Sequence, residues 1–199
     1  GYTHPYVSRG GNSYADIVTD LASKAIYALP SKTKTALEFV ANMEKLFTQN
    51  PDWFVDRKHE DDRFYRVDPE GKYISDLVIS FMSGKGYRIE RTPPRDKSAG
   101  GVAESSVGRI ENATNTAMLA VIPQVPQSCL DHAMTDAANT LNINYSSSIV
   151  TSPYTYTTGN KVDVRKVHRF WDSIWVLIPK EQRDTKIGCD RAMKGRWLG

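Results

Sequence analysis

The chain reads as a mixed α/β fold, and three observations lead there. Short β-patterned runs alternate with amphipathic helical runs through the first half, one long helical stripe occupies residues 102–121, and no segment repeats. At 199 residues with 40% hydrophobic content, the chain can bury one sizeable core, so the expectation is one domain with an appendage.

Ser13 to Asp20 (SYADIVTD) and Lys24 to Leu29 (KAIYAL) alternate apolar and polar residues with β-branched and aromatic enrichment, which predicts a hairpin. From Thr33 to Phe47, Leu37, Val40, Ala41 and Phe47 fall at helical spacing; Thr33 is placed to cap the start, and Asn50-Pro51 ends the helix. Asp56 to Asp62 reads as a charged loop, and Phe64 to Val67 as a strand that runs into Asp68. Tyr73 to Met82 is a helix closed by Gly84 and Gly86, Tyr87 to Glu90 a strand, and Thr92 to Gly101 a loop rich in Pro, Gly and charge.

Beyond it, Ala103, Val107, Ile110, Ala113, Ala117 and Val121 form an apolar stripe at three- and four-residue spacing, while Glu104, Gly108 and Glu111 lie on the other face. A further helix covers about Ser128 to Leu141, and Phe170 to Ile178 (FWDSIWVLI) reads as a strand. This order, with a hairpin first and helices interleaved later, fits a ribonuclease H-like mixed sheet with flanking helices. Such a sheet needs one more strand before the hairpin, and only a short stub stands there, so the first strand is expected to be largely missing.

Several function classes recede on composition. No apolar run approaches the roughly 20 residues of a membrane span, and GYTHPYVSRGG has neither signal- nor transit-peptide character. Cys129 and Cys189 lie far apart without metal-ligand spacing and read as free thiols, and His4, His59, His132 and His168 are equally scattered. The net charge of +3 is unevenly spread: residues 161–199 hold 10 Lys/Arg against 5 Asp/Glu, giving +5, and residues 1–160 hold 16 against 18, giving −2. A basic tail behind a near-neutral body suits a polyanionic partner, and equally a solvated linker.

Asp68 closes a predicted strand and Glu104 opens the long helix, with 35 residues between them. Singly, they would be a turn residue and a first-turn helix Glu favoured by the dipole. Together they are the hard oxygen ligands that phosphodiester chemistry needs to hold divalent cations, one beside the attacking oxygen and one beside the leaving oxygen.

Here a resemblance becomes specific. Gly101-Val102-Ala103-Glu104 matches the run that carries the catalytic Glu in integrases of copia-type LTR retrotransposons, and Asp68 falls on the family's second Asp. The match continues through Thr116-Ala117-Met118-Leu119, Tyr145-Ser146-Ser147, Thr151-Ser152-Pro153-Tyr154, Phe170-Trp171 and Ile178-Pro179-Lys180 to the closing Gly-Arg-Trp-Leu-Gly. The chain is similar to that family over nearly its whole length. The resemblance implies an integrase catalytic core-like domain over residues 1–141, N-terminally truncated, and a connector toward the reverse transcriptase over residues 142–199. The zinc-binding module that integrases often carry is not among these residues.

What the family implies is DNA integration by polynucleotidyl transfer: water trims a DNA 3′ end, and the freed hydroxyl attacks target DNA in line. It also implies Mg²⁺ or Mn²⁺ in a two-metal site held by Asp68, Glu104 and a first Asp, with element ends and target DNA as partners. Self-association follows from the same likeness, as does location in the nucleus and cytoplasmic particles if the element is eukaryotic; the lack of a long apolar run predicts no membrane partner.

The sequence also departs from the pattern. The first family Asp lies before Gly1; Asp16 and Asp20 are the acids nearest to a replacement, but Asp20 to Lys24 resembles the family's structural Asp-x-x-Ser-Arg turn. The family's Asp-Asn-Gly-x-Glu-Tyr appears as Asp68-Pro69-Glu70-Gly71-Lys72-Tyr73, and Ser105, Gly108 and Glu111 stand where Arg and polar or basic DNA contacts are usual. An acid there repels phosphate. The alternative function is therefore a non-catalytic nucleic-acid-binding module derived from an integrase, and a second rival is a ribonuclease H-like nuclease.

A basic cluster, Lys85, Arg88, Arg91, Arg95 and Lys97, flanks the approach to Glu104 and is placed to contact phosphates, with a solvated surface as the plainer reading. Pro93 to Gly101 would be a mobile loop hinged at Gly100-Gly101. Trp171 and Trp175, on an apolar strand, are expected in the core rather than as base-stacking platforms. Arg165, Lys166, Arg183, Lys186, Arg191 and Arg196 provide a non-specific contact to a nucleic-acid backbone, or merely a polyprotein spacer.

Overall fold

A computed structural model describes residues 2–3, 7–50, 63–67, 71–92, 97–121, 124–179, 181 and 192–198. Strands β1 (Tyr2–Thr3), β2 (Tyr14–Thr19) and β3 (Ile26–Ser31) form an antiparallel sheet in that order. The expected hairpin is present, and the stub contributes a two-residue strand against Tyr14 and Ala15. Helix α1 (Ala36–Gln49) follows, then the unit β4 (Phe64–Val67), α2 (Asp76–Gly84) and β5 (Arg88–Arg91), whose strands pair in parallel. Helix α3 spans Lys97–Leu119, a 3-10 turn (Gln127–Cys129) leads into α4 (Leu130–Ile143), and α5 covers Pro153–Thr158. A ribbon of β6 (Ser173–Leu177) and β7 (Ala192–Arg196) ends the described chain.

Strand alternation divides the core in two. Ala25, Tyr27 and Leu29 turn toward Phe39, Met43 and Leu46 of α1, Val78 and Met82 of α2 and Val67 of β4. Ala15, Ile17, Ile26 and Ala28 turn the other way, toward Ile110 of α3 and Met134 and Ala138 of α4. The result is a mixed α/β fold with helices on both faces of the first sheet. A third cluster joins Val125, Cys129 and Ala133 to Phe170, with Trp171 and Leu198 packed against it, and docks the C-terminal segment onto α3 and α4.

Local chemistry explains the boundaries. Thr35, rather than Thr33, caps α1: its hydroxyl accepts from the Glu38 amide, and the Glu38 carboxylate reaches back to the amides of Lys32 and Thr33 and to the Thr33 hydroxyl. This is a reciprocal cap displaced two residues by the reach of Glu38. The turn between β2 and β3 is structural as expected, since Asp20 accepts from the amides of Ala22 and Ser23 and from the Ser23 hydroxyl. Ser152 caps α5, and Gly159 ends it at φ +71°.

Two expectations require correction. The segment up to Gly101 is not a hinge loop throughout, because α3 already begins at Lys97 and carries both Gly100 and Gly101 in helical backbone; Pro93 to Arg95 lie outside the described residues. The buried edge of α3 also differs from the apolar stripe. Ser106, Ile110 and Thr114 are buried at four-residue spacing, whereas Ala103 is exposed. Small hydroxyl residues let α3 approach α4 closely, and the Ser106 hydroxyl is satisfied within the helix by the Val102 carbonyl at 2.8 Å.

Candidate active site

The parallel β4–α2–β5 unit delivers its strand ends to one edge. Val67 is buried as the last residue of β4, and its carbonyl accepts both the Thr92 amide (3.0 Å) and the Thr92 hydroxyl (3.1 Å). Asp68, the next residue, lies outside the described residues, so its carboxylate has no stated position. Carboxyl ends of parallel strands are where open α/β folds place ligands. Glu104 stands on α3 with its side chain exposed.

The turn after Asp68 is anchored by an unexpected cluster. Lys72 and Tyr73 both reach Asp16 on β2, the ammonium and the phenol hydroxyl each 2.6 Å from Oδ1. Asp16 is 3% exposed on the α1-facing side of the sheet. The Lys72 ammonium also lies 4.6 Å from the Tyr73 ring centroid and 6.0 Å from that of Phe39. Loss of water and then the Asp16 charge push the Tyr65 phenol well above its ordinary range, so it stays neutral. Asp16 is therefore engaged in a structural ion pair, and Asp20 in the bonds of its turn.

The basic side chains that are described have separate partners. Lys85 pairs with Glu44 of α1 at 3.3 Å and lies over the rings of Phe47 and Phe81. Arg88 covers the Phe64 ring at 5.0 Å, and Arg91 is exposed at the end of β5. Arg95 is outside the described residues, and of Lys97 the helical backbone alone is described. Arg66 and Glu90 form an exposed cross-strand pair at 2.7 Å, which offsets part of the positive charge.

Sequence reasoning missed Lys72 and Asp16 as partners, although an acid in the middle of an apolar strand was a signal that a buried cation would be needed. It also misplaced Trp175, which is 74% exposed, while Trp171 does pack into the third cluster. Among the described residues no group of three His, Cys, Asp or Glu side chains could hold a metal ion, and no helix is long and apolar enough to cross a membrane. Cys129 is a buried free thiol, and Cys189 lies outside the described residues.

No family model matches this chain, and no curated protein does. Solved structures do. The HTLV-2 integrase catalytic core domain in complex with magnesium, in its trimeric form, aligns over 79% of this chain and 92% of its own, with a TM-score of 0.58 and 18% identity. The simian T-cell lymphotropic virus intasome aligns over 98% of this chain and 65% of its own, with a TM-score of 0.62 and 15% identity. The catalytic core domain of BIV integrase aligns over 72% and 84%, with a TM-score of 0.53 and 12% identity. The chain thus has the fold of retroviral integrase catalytic cores. At these identities the likeness is one of fold.

Proposed function

We propose that this chain is the integrase segment of a copia-type retrotransposon polyprotein, with the ribonuclease H-like core in residues 1–141 and the connector in 142–199. Its activity would be metal-dependent polynucleotidyl transfer on DNA. The observation that carries the reading is the integrase-core fold, on which Asp68 directly follows a parallel strand and Glu104 stands on the next long helix but one strand later.

The donor chemistry fits a divalent cation: both residues are carboxylates, and Glu104 is exposed and makes no ion pair with another described residue. Asp68 and Glu104 would hold Mg²⁺ or Mn²⁺, and the chemistry such an ion would supply there is activation of the attacking oxygen and stabilisation of the leaving one. The chain's own contribution is positional. The Val67–Thr92 hydrogen bonds fix the end of β4, the Asp16–Lys72–Tyr73 cluster fixes the turn beyond Asp68, and Arg88 and Arg91 present charge to phosphates along the β5 edge, with Lys85, Arg95 and Lys97 nearby in sequence.

A specific observation favours the second reading, a non-catalytic nucleic-acid-binding module. Asp16 and Asp20, the acids nearest to a substitute first ligand, are both engaged in structural bonds. Strand transfer in Mg²⁺ and Mn²⁺ separates the two. This chain is compared with one extended upstream to supply an Asp, each with and without Asp68→Asn and Glu104→Gln. Activity in the extended chain alone, abolished by either substitution, is the expected result; DNA binding without any transfer in the extended chain assigns the binding-module function instead.

A further inference from the structure

The β6–β7 ribbon carries a bare indole on a fixed stem. Trp175 pairs across the ribbon with Lys194, Ser173 with Arg196, and Leu177 with Ala192, so these six side chains share one face. Lys194 is exposed, and neither strand contains an acid. The base of the ribbon is held in place: the Trp171 amide donates to the Trp197 carbonyl at 2.7 Å and the Trp197 amide to the Asp172 carbonyl at 2.9 Å. Arg196 donates from Nη1 to the Trp171 carbonyl at 3.2 Å and to the Ser173 hydroxyl at 2.8 Å. Phe170 and Trp171 then sink the stem into the third core cluster.

A two-stranded ribbon alone is marginal in water, and a large aromatic left on its surface forgoes the burial that would favour it there. We propose that this face binds single-stranded nucleic acid, with one unpaired base stacked on the Trp175 indole and a neighbouring phosphate on the Lys194 ammonium. Directly opposed strand residues have Cβ atoms about 5 Å apart, which suits the distance from a base to its own backbone. A duplex keeps its bases stacked on one another and offers the indole no free face, so unpaired strands are preferred. The +5 charge of residues 161–199 is complementary to a polyanion. A second copy of this chain docking face to face would oppose Lys194 and Arg196 with like charges. The inference asks nothing of Asp68 or Glu104 and holds whether or not the chain transfers strands.

The test uses the full chain, labelled oligothymidine and a duplex of equal length, read by fluorescence anisotropy over a range of salt. Trp175→Ala is expected to weaken oligothymidine binding about tenfold and Trp175→Phe by less than about threefold, with duplex binding changed no more than that. Lys194→Ala is expected to lower the salt dependence of single-strand binding by about 0.7 in log–log slope. Equal losses on both nucleic acids, or none, overturn the proposal. So does a shift from dimer to monomer in Trp175→Ala with oligothymidine binding unchanged, which would assign the face to a second copy.

Discussion

The Lys72 ammonium and the Asp16 carboxylate meet at 2.6 Å with both side chains more than nine-tenths buried, joining the turn beyond Asp68 to the second strand. Breaking a buried pair from one side strands the other charge, which costs about 3–5 kcal/mol, whereas removing both charges together is close to neutral. Lys72→Met is therefore expected to destabilise the fold by roughly 3 kcal/mol in urea unfolding, and Asp16→Leu with Lys72→Met to recover most of it. Lys72→Glu is expected to be worse than Lys72→Met because it sets two carboxylates together. Additive losses in the double variant would show that the pair is not coupled.

Asn142 protects the outer edge of the first sheet. Its amide donates to the Ile26 carbonyl and its oxygen accepts the Ile26 amide, both at 2.8 Å, so a side chain on α4 does what a fourth strand would do. Asn142→Ala leaves two buried backbone groups unpaired, with an expected loss of about 2–4 kcal/mol. Asn142→Asp retains the acceptor and loses the donor, and should lose more than the alanine variant as the carboxylate faces the Ile26 carbonyl. Hydrogen exchange at the Ile26 amide reads the effect directly; unchanged protection in Asn142→Ala would refute it.

Asp131 ties the loop before β2 to the start of α4. Burial alone would raise its carboxyl, but bonds from the Ser8 hydroxyl (2.7 Å), the Asn12 amide group (2.9 Å) and the His132 backbone amide outweigh that and hold it below the ordinary carboxylate range. A folded pKa below the unfolded one gives stability that is complete above the unfolded value, near pH 4, and lost as pH falls through the folded value. Asp131→Asn is thus expected to be less stable than the parent at pH 7, with the gap closing in acid. A gap that stays constant from neutral pH down to the acid limit of folding would remove the carboxylate from the explanation.

Local sequence accounts for some of these features and not for others. The hairpin, α1, β4 and β5 follow from alternation and periodicity, which are properties of the nearest few residues, and β4 falls on Phe64–Val67 as read. Glu104 is proposed on a different ground, its interval from Asp68 within the run Gly101-Val102-Ala103-Glu104. Asp16, Lys72, Asn142 and Asp131 were not, because each is explained by a partner more than 50 residues away, and polar residues in β or helical patterns carry no sign of what they will face. Trp175 failed in the opposite sense. An apolar run predicts burial only where a second layer covers it, and among the described residues the β6–β7 ribbon has two strands and Trp175 stays exposed.

Gly101 separates a hinge from a helix. It lies within α3, and a Cβ built on it meets nothing within 4 Å, so nothing in the described structure requires the missing side chain. Glycine inside a helix costs about 1 kcal/mol relative to alanine, mainly through the freedom it has when unfolded. Gly101→Ala should therefore raise stability by up to about 1 kcal/mol, visible as a modest rise in Tm. In the upstream-extended chain the same substitution is expected to leave strand transfer unchanged, because Glu104 stays on the same helix. A variant that is more stable yet has lost transfer would mean that this helix start must unwind during the reaction, and would restore the hinge that the glycine pair first suggested.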